Sequence, residues 1–73
     1  MAEVDAGYEA LSLAGDAMRG VGPFKGMTPS AAALHLAFMS VALVGAGDKA
    51  ASKVVGAAAS IVMARLAERE EER

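Results

Sequence analysis

Between Gly26 and Gly47 the chain carries no charged side chain. A helix over about 29–46 covers about 17 or 18 residues and, at about 1.5 Å per residue, reaches roughly 26 Å. An uncharged rod of that length has two ways to be buried. One is a bilayer, for which about 17–25 apolar residues suffice. The other is the core of a soluble oligomer.

The rest of the chain is too small to bury it comfortably alone. Its 73 residues make one domain, 1–73, and a domain of this size is marginally stable. Such scaffolds draw on disulfides, a metal, a membrane or oligomerisation. There is no cysteine, which removes disulfides and thiolate sites. His35 is the single histidine and builds no zinc site by itself. A partner chain or a bilayer remains. Apolar residues are 55% of the chain but aromatics only 4%, with alanine dominant. Alanine contributes little area to burial, yet it forms helices best and lets helices approach closely. The net charge of −2 comes with no basic stripe, which disfavours sequence-specific nucleic-acid binding. Glu3, Asp5, Glu9 and Asp16 make the N-terminus acidic. It lacks the basic region of a secretory signal, so the chain is expected to be mature or never routed that way.

Three helices are expected. The first, about 4–19, repeats Val4, Tyr8, Leu11 and Met18 at helical spacing, with an acidic first turn. A Gly/Pro break over 20–28 follows, including Gly20-Val21-Gly22-Pro23-Phe24-Lys25-Gly26. Thr28 and Pro29 restart the chain as N-cap and first helical residue. Gly45-Ala46-Gly47-Asp48 stops the second helix and starts the third. So short a link makes the two helices an antiparallel hairpin. The third helix, about 49–68, places Val54, Val55, Ala58, Ile61, Val62 and Leu66 on one face. Its uncharged stretch, Val54 to Ala64, is too short to span a bilayer unaided. The charged tail, 69–73, reads as a solvated, frayed end.

The most specific feature is a stripe of small residues: Ser52, Gly56, Ser60 and Ala64 recur four apart, and Ala33, Ala37 and Gly45 offer a matching set. Such stripes let a neighbouring backbone come close, so these seven residues are the candidate packing site. Lys49 and Lys53 share a face beside the turn. With Lys25 at the far end of the second helix, they are candidates for lipid-phosphate or channel-lining charge. Arg65, at the edge of the apolar face, is a candidate to snorkel or to pair with Glu68 or an acid of the first helix. Each of these cations also reads as an ordinary solubilising charge.

Nothing assembles a catalytic set. There is no cysteine nucleophile, and the carboxylates cluster at the ends without a second histidine. Gly20-x-Gly22 precedes no phosphate-binding fingerprint. Met18, Met27, Met39 and Met63 suit gap-filling in a core. A non-enzyme without metal, cofactor or small-molecule substrate is expected.

The layout resembles the conjugative pilins of type IV secretion systems. The likeness runs roughly from Tyr8 to Leu66. It rests on the amphipathic first helix, the Gly22-Pro23-Phe24 step, the apolar second helix, the basic loop Asp48-Lys49-Ala50-Ala51-Ser52-Lys53, and the Gly/Ala/Val/Ile helix from Val54 to Met63. It implies a subunit held in the membrane before assembly and in an extracellular filament afterwards. It also implies phospholipid between copies and Lys49 and Lys53 as lumen charges. Taken together, the expectation is an all-α, Ala/Gly-rich fold: an amphipathic helix plus a tight antiparallel helical hairpin, oligomeric. Its partners would be copies of itself and phospholipid, in a tube serving conjugation or DNA transfer. Two alternatives remain open: a cytoplasmic soluble homo-oligomer (a small phage or regulatory protein) and a small membrane protein that never polymerises.

Overall fold

In the computed structural model, which describes residues 6–71, three helices follow one another: α1 (Ala6–Arg19), α2 (Pro29–Gly45) and α3 (Lys49–Glu71). A single 3-10 turn, Gly22–Phe24, lies between α1 and α2. The fold is all-α, with no strand among the described residues. Val4, with Glu3 and Asp5, lies outside the described residues, as do Glu72 and Arg73 of the tail.

Local chemistry sets the helix limits. Thr28 caps α2: its Oγ1 accepts from the Ala31 N–H at 3.2 Å, and Pro29 occupies the first turn. Asp48 caps α3, its Oδ1 accepting from the Ala51 N–H at 3.1 Å. α1 and α2 both end in a left-handed glycine: Gly20 has φ 66° and Gly47 φ 86°. Around Gly47 the Asp48 N–H donates to the Leu43 carbonyl at 2.9 Å and the Gly47 N–H to that of Val44 at 3.0 Å. Val21 and Gly20 repeat the pattern onto Asp16 and Ala17. Both are Schellman stops, which demand a residue tolerant of positive φ. Asp48 thus closes α2 and opens α3 at once, leaving almost no slack between them.

The break between α1 and α2 does more than interrupt a helix. The segments 7–24 and 29–45 meet at 87°, and the turn drives Phe24 into the centre. Phe24, Leu36 and Val62 are the largest fully buried side chains. Around them pack Ala14 and Ala17 of α1, Ala32 and Ala33 of α2, and Val55, Ala58 and Ala59 of α3. Leu13, Met18, Met27, Leu43, Ile61 and Leu66 seal the margin.

The buried face of α1 differs from the one its large residues suggest. Tyr8 and Leu11 are exposed, while Ala10, Ala14 and Ala17 are buried. At about 100° per residue the alanine face lies about 120° from the Tyr8/Leu11 face. Closeness decides the choice: Ala14 and Ala17 share the core with Ala58 and Ala59 of α3, and side chains this small let helices approach where larger ones hold them apart. Met18 is half-buried at the edge of the core. α3 also departs from expectation at its end, remaining helical through Glu71 rather than stopping near Glu68.

Candidate functional site

The small residues expected to form a packing site divide according to their rotation around each helix. Ser52 is buried and Gly56 half-buried, but Ser60 and Ala64 are exposed. On α2, Ala33 is buried, Ala37 half-buried and Gly45 exposed. A four-residue step overshoots a 3.6-residue turn by about 40°, so three steps carry the stripe about 120° off its starting face. Ser52 to Ala64 is three such steps, and Ala33 to Gly45 is another three. One end of each stripe therefore enters the contact between α2 and α3, and the other end faces outward.

Where the stripes do meet, the contact is close and polar. The Ser40 hydroxyl donates to the Ser52 carbonyl at 3.0 Å, and the Ser52 hydroxyl donates to the Ser40 carbonyl at 2.8 Å. The two hydroxyl oxygens lie 3.0 Å apart. One turn further along α3, a Cβ on Gly56 would stand 3.1 Å from the Ser40 Oγ, so Gly56 is what lets the serine pair form. Beyond it, Ala33 and Ala37 border a shallow groove with Met63 and Leu66. Ser40 bears no motif in the sequence. Its only signal is a hydroxyl within an otherwise apolar stretch, which must find a partner when half-buried.

The outward side of α2 is apolar and exposed. Leu34, Phe38, Val41 and Val44 are 59%, 66%, 72% and 55% exposed. Apolar residues surround α2 on all sides, the pattern of a helix meant to be covered all round. Its inner side meets that demand through Ala32, Ala33 and Leu36; its outer side does not. Gly45, one of the predicted packing residues, lies on this outer side with nothing within 4 Å of a Cβ placed on it.

The cations are dispersed. Lys49 and Lys53 are exposed beside the α2–α3 link, and Lys25 is exposed at the other end of α2. Arg65 lines a groove between α1 and α3 with Met18, Arg19, Glu68 and Arg69. Among the described residues it forms no ion pair with Glu68, Glu9 or Asp16. Among the described residues the single ion pair joins Arg19 Nη2 to Asp16 Oδ1 at 2.9 Å. Those partners are three apart on one helix, so Asp16 is taken locally. His35 is exposed, its ring meeting Phe24 edge-on at 6.3 Å between centroids. Among the described residues no group of three or more His, Cys, Asp or Glu is placed to hold a metal ion.

Among the described residues one helix is long and apolar enough to cross a bilayer by length and composition, and it is α3, over Lys49–Glu70, not the uncharged α2 of 17 residues. Comparison with family models, with curated proteins and with solved structures finds no match to this chain.

Proposed function

We propose that this chain is a structural subunit that works by packing against copies of itself, in a filament of the kind conjugative pilins build. One observation carries the reading: the uncharged outer side of α2, with four large apolar residues more than half exposed. Exposed apolar area favours association by about 25 cal/mol per Å² covered. Contiguous patches of this sort mark interaction sites rather than free surface. In this reading α2 and α3 act as one antiparallel hairpin, locked by Ser40, Ser52 and Gly56. The exposed remainder of the stripes, Gly45, Ser60 and Ala64, offers close approach to neighbours. Before assembly the subunit rests in a membrane, where close packing rather than the hydrophobic effect pairs helices. Phospholipid stays against α2 and α3, and Lys49 and Lys53 supply lumen or headgroup charge.

A second reading, a soluble helical homo-oligomer, draws on a different observation. Phe24, Leu36 and Val62 come from three parts of the chain and are fully buried by its own residues. A domain with its own core needs cover on α2 alone. Electron microscopy of negatively stained material sheared from cells, with lipid extraction of the same fraction, separates the two. Thin uniform filaments holding phospholipid are expected. Small soluble particles without lipid would overturn the filament and leave the soluble oligomer.

A further inference from the structure

The cations of the described chain separate by type. Lys25, Lys49 and Lys53 stand near the two ends of α2. Every arginine among the described residues, Arg19, Arg65 and Arg69, lines one groove between α1 and α3. Solubility draws no distinction between the two side chains, but recognition does. A guanidinium is a rigid planar fork matched to carboxylate and phosphate oxygens, whereas an ammonium is a compact point charge.

Arg19 enters the groove from α1 and is held in place. Its Nη2 donates to Asp16 Oδ1 at 2.9 Å, and its Nη1 takes the room left by Gly15, where a Cβ would stand 3.2 Å from it. A glycine inside a helix costs stability relative to alanine. The three atoms nearest to that Cβ all belong to Arg19, so what Gly15 admits is this guanidinium rather than a close approach of α3. Arg65 and Arg69 enter from α3, four residues apart and therefore on one face. Among the described residues neither forms an ion pair. Asp16 is engaged by Arg19, and Glu68 is the one described carboxylate lining the groove. Three guanidiniums thus outnumber two carboxylates, and the groove keeps a net positive charge.

Apolar surface borders the same space. Leu11, 53% exposed, and the half-buried Met18 line it. Its volume is about 360 Å³, inside the roughly 300–1,000 Å³ of clefts that take small ligands. An anion with a compact apolar part supplies what both halves lack: oxygens for the guanidiniums and cover for Leu11. A carboxylate offers two oxygens and a single charge. A phosphate monoester offers three, with a charge near −2 at neutral pH, which suits three forks arriving from two helices.

We infer that the groove between α1 and α3 binds a phosphate monoester with a compact apolar body, Arg19, Arg65 and Arg69 meeting the phosphate and Leu11 and Met18 the body. The site uses none of the residues on which the self-assembly reading rests, and its occupation ties the end of α1 to the end of α3.

Isothermal titration calorimetry of the full-length chain with phenyl phosphate, at fixed ionic strength, tests it. Saturable binding of one molecule per chain is expected. Arg65→Gln and Arg69→Gln, both at exposed positions, are expected to keep the helical circular dichroism and to weaken binding by about tenfold or more each, as loss of a charge-assisted hydrogen bond does. Lys49→Gln with Lys53→Gln, about 24 Å away along α3, should leave the affinity unchanged. Benzoate, with the same ring and only a carboxylate, is expected to bind more weakly than phenyl phosphate. No saturable binding, or binding that Arg65→Gln and Arg69→Gln leave unchanged, would overturn the site. Equal affinity for benzoate would overturn the choice of phosphate. Arg65-dependent binding to phosphatidylglycerol vesicles without binding of phenyl phosphate would overturn the small ligand and assign the arginines to a lipid headgroup.

Discussion

Replacing Gly56 with alanine sets two effects of similar size against each other, and a second substitution decides which wins. Within a helix, Gly→Ala gains about 0.8–1 kcal/mol from backbone entropy. Against it, the new Cβ stands 3.1 Å from the Ser40 Oγ, so the hydroxyl must move. It is not free to do so, being engaged with the Ser52 carbonyl and hydroxyl at 3.0 Å each. A hydrogen bond contributes about 0.5–1.5 kcal/mol, and a buried group left unpaired costs about 1–3 kcal/mol. Gly56→Ala alone is therefore expected to destabilise the fold by about 1 kcal/mol. In a Ser40→Ala background the obstacle is gone, since the nearest remaining atom, the Cβ at position 40, stands 3.9 Å away. There Gly56→Ala is expected to stabilise by up to about 1 kcal/mol. The sign reverses, and the coupling energy is about 1–2 kcal/mol, within the range measured for residues in contact. Thermal unfolding resolves it, because 1 kcal/mol moves the midpoint of so short a domain by about 4–8 °C. All four proteins are compared at one concentration, since association also shifts the midpoint. Equal stabilisation by Gly56→Ala in both backgrounds would refute the view that the Ser40–Ser52 pair is locked and that Gly56 exists to admit it.

Other substitutions test other levels of the structure. Phe24→Ala should cost about 3–5 kcal/mol, enough to leave a domain of this size largely unfolded by circular dichroism at 25 °C; a cooperative transition near the wild-type midpoint would show that the core does not depend on the turn. Thr28→Ala removes the acceptor for the Ala31 N–H and should cost about 1 kcal/mol, read as a midpoint about 4–8 °C lower; no change would assign the start of α2 to Pro29 alone. Lys49→Glu combined with Lys53→Glu should leave unfolding unchanged, since both side chains are exposed, while reducing the phospholipid that copurifies with assemblies. Unchanged lipid and unchanged assembly would mark the two lysines as solvated charges only.

The start of α2 and the junction of α2 with α3 were legible in the sequence because capping acts within a few residues along the chain. Thr28 needs only Ala31, Asp48 only Ala51, and Gly47 only the carbonyls of Leu43 and Val44. The uncharged run from Gly26 to Gly47 also marked α2 as apolar on every side, and its outer residues Leu34, Phe38, Val41 and Val44 are exposed. Tertiary structure decided which faces meet. Tyr8 and Leu11 are large apolar residues of α1 left exposed, while Ala10, Ala14 and Ala17 are buried, because how closely two helices approach depends on both of them. The four-residue stripes of α2 and α3 look continuous in the sequence, yet a helix with 3.6 residues per turn rotates them out of contact within three steps. Phe24 sits in a Gly/Pro break that reads only as an interruption between helices, and enters the core where the chain bends by 87°. Ser40 and Ser52, 12 residues apart, are joined by the short link at Asp48 and the space left at Gly56. Each of these outcomes depends on atoms distant in the chain, which local rules of spacing and capping do not reach.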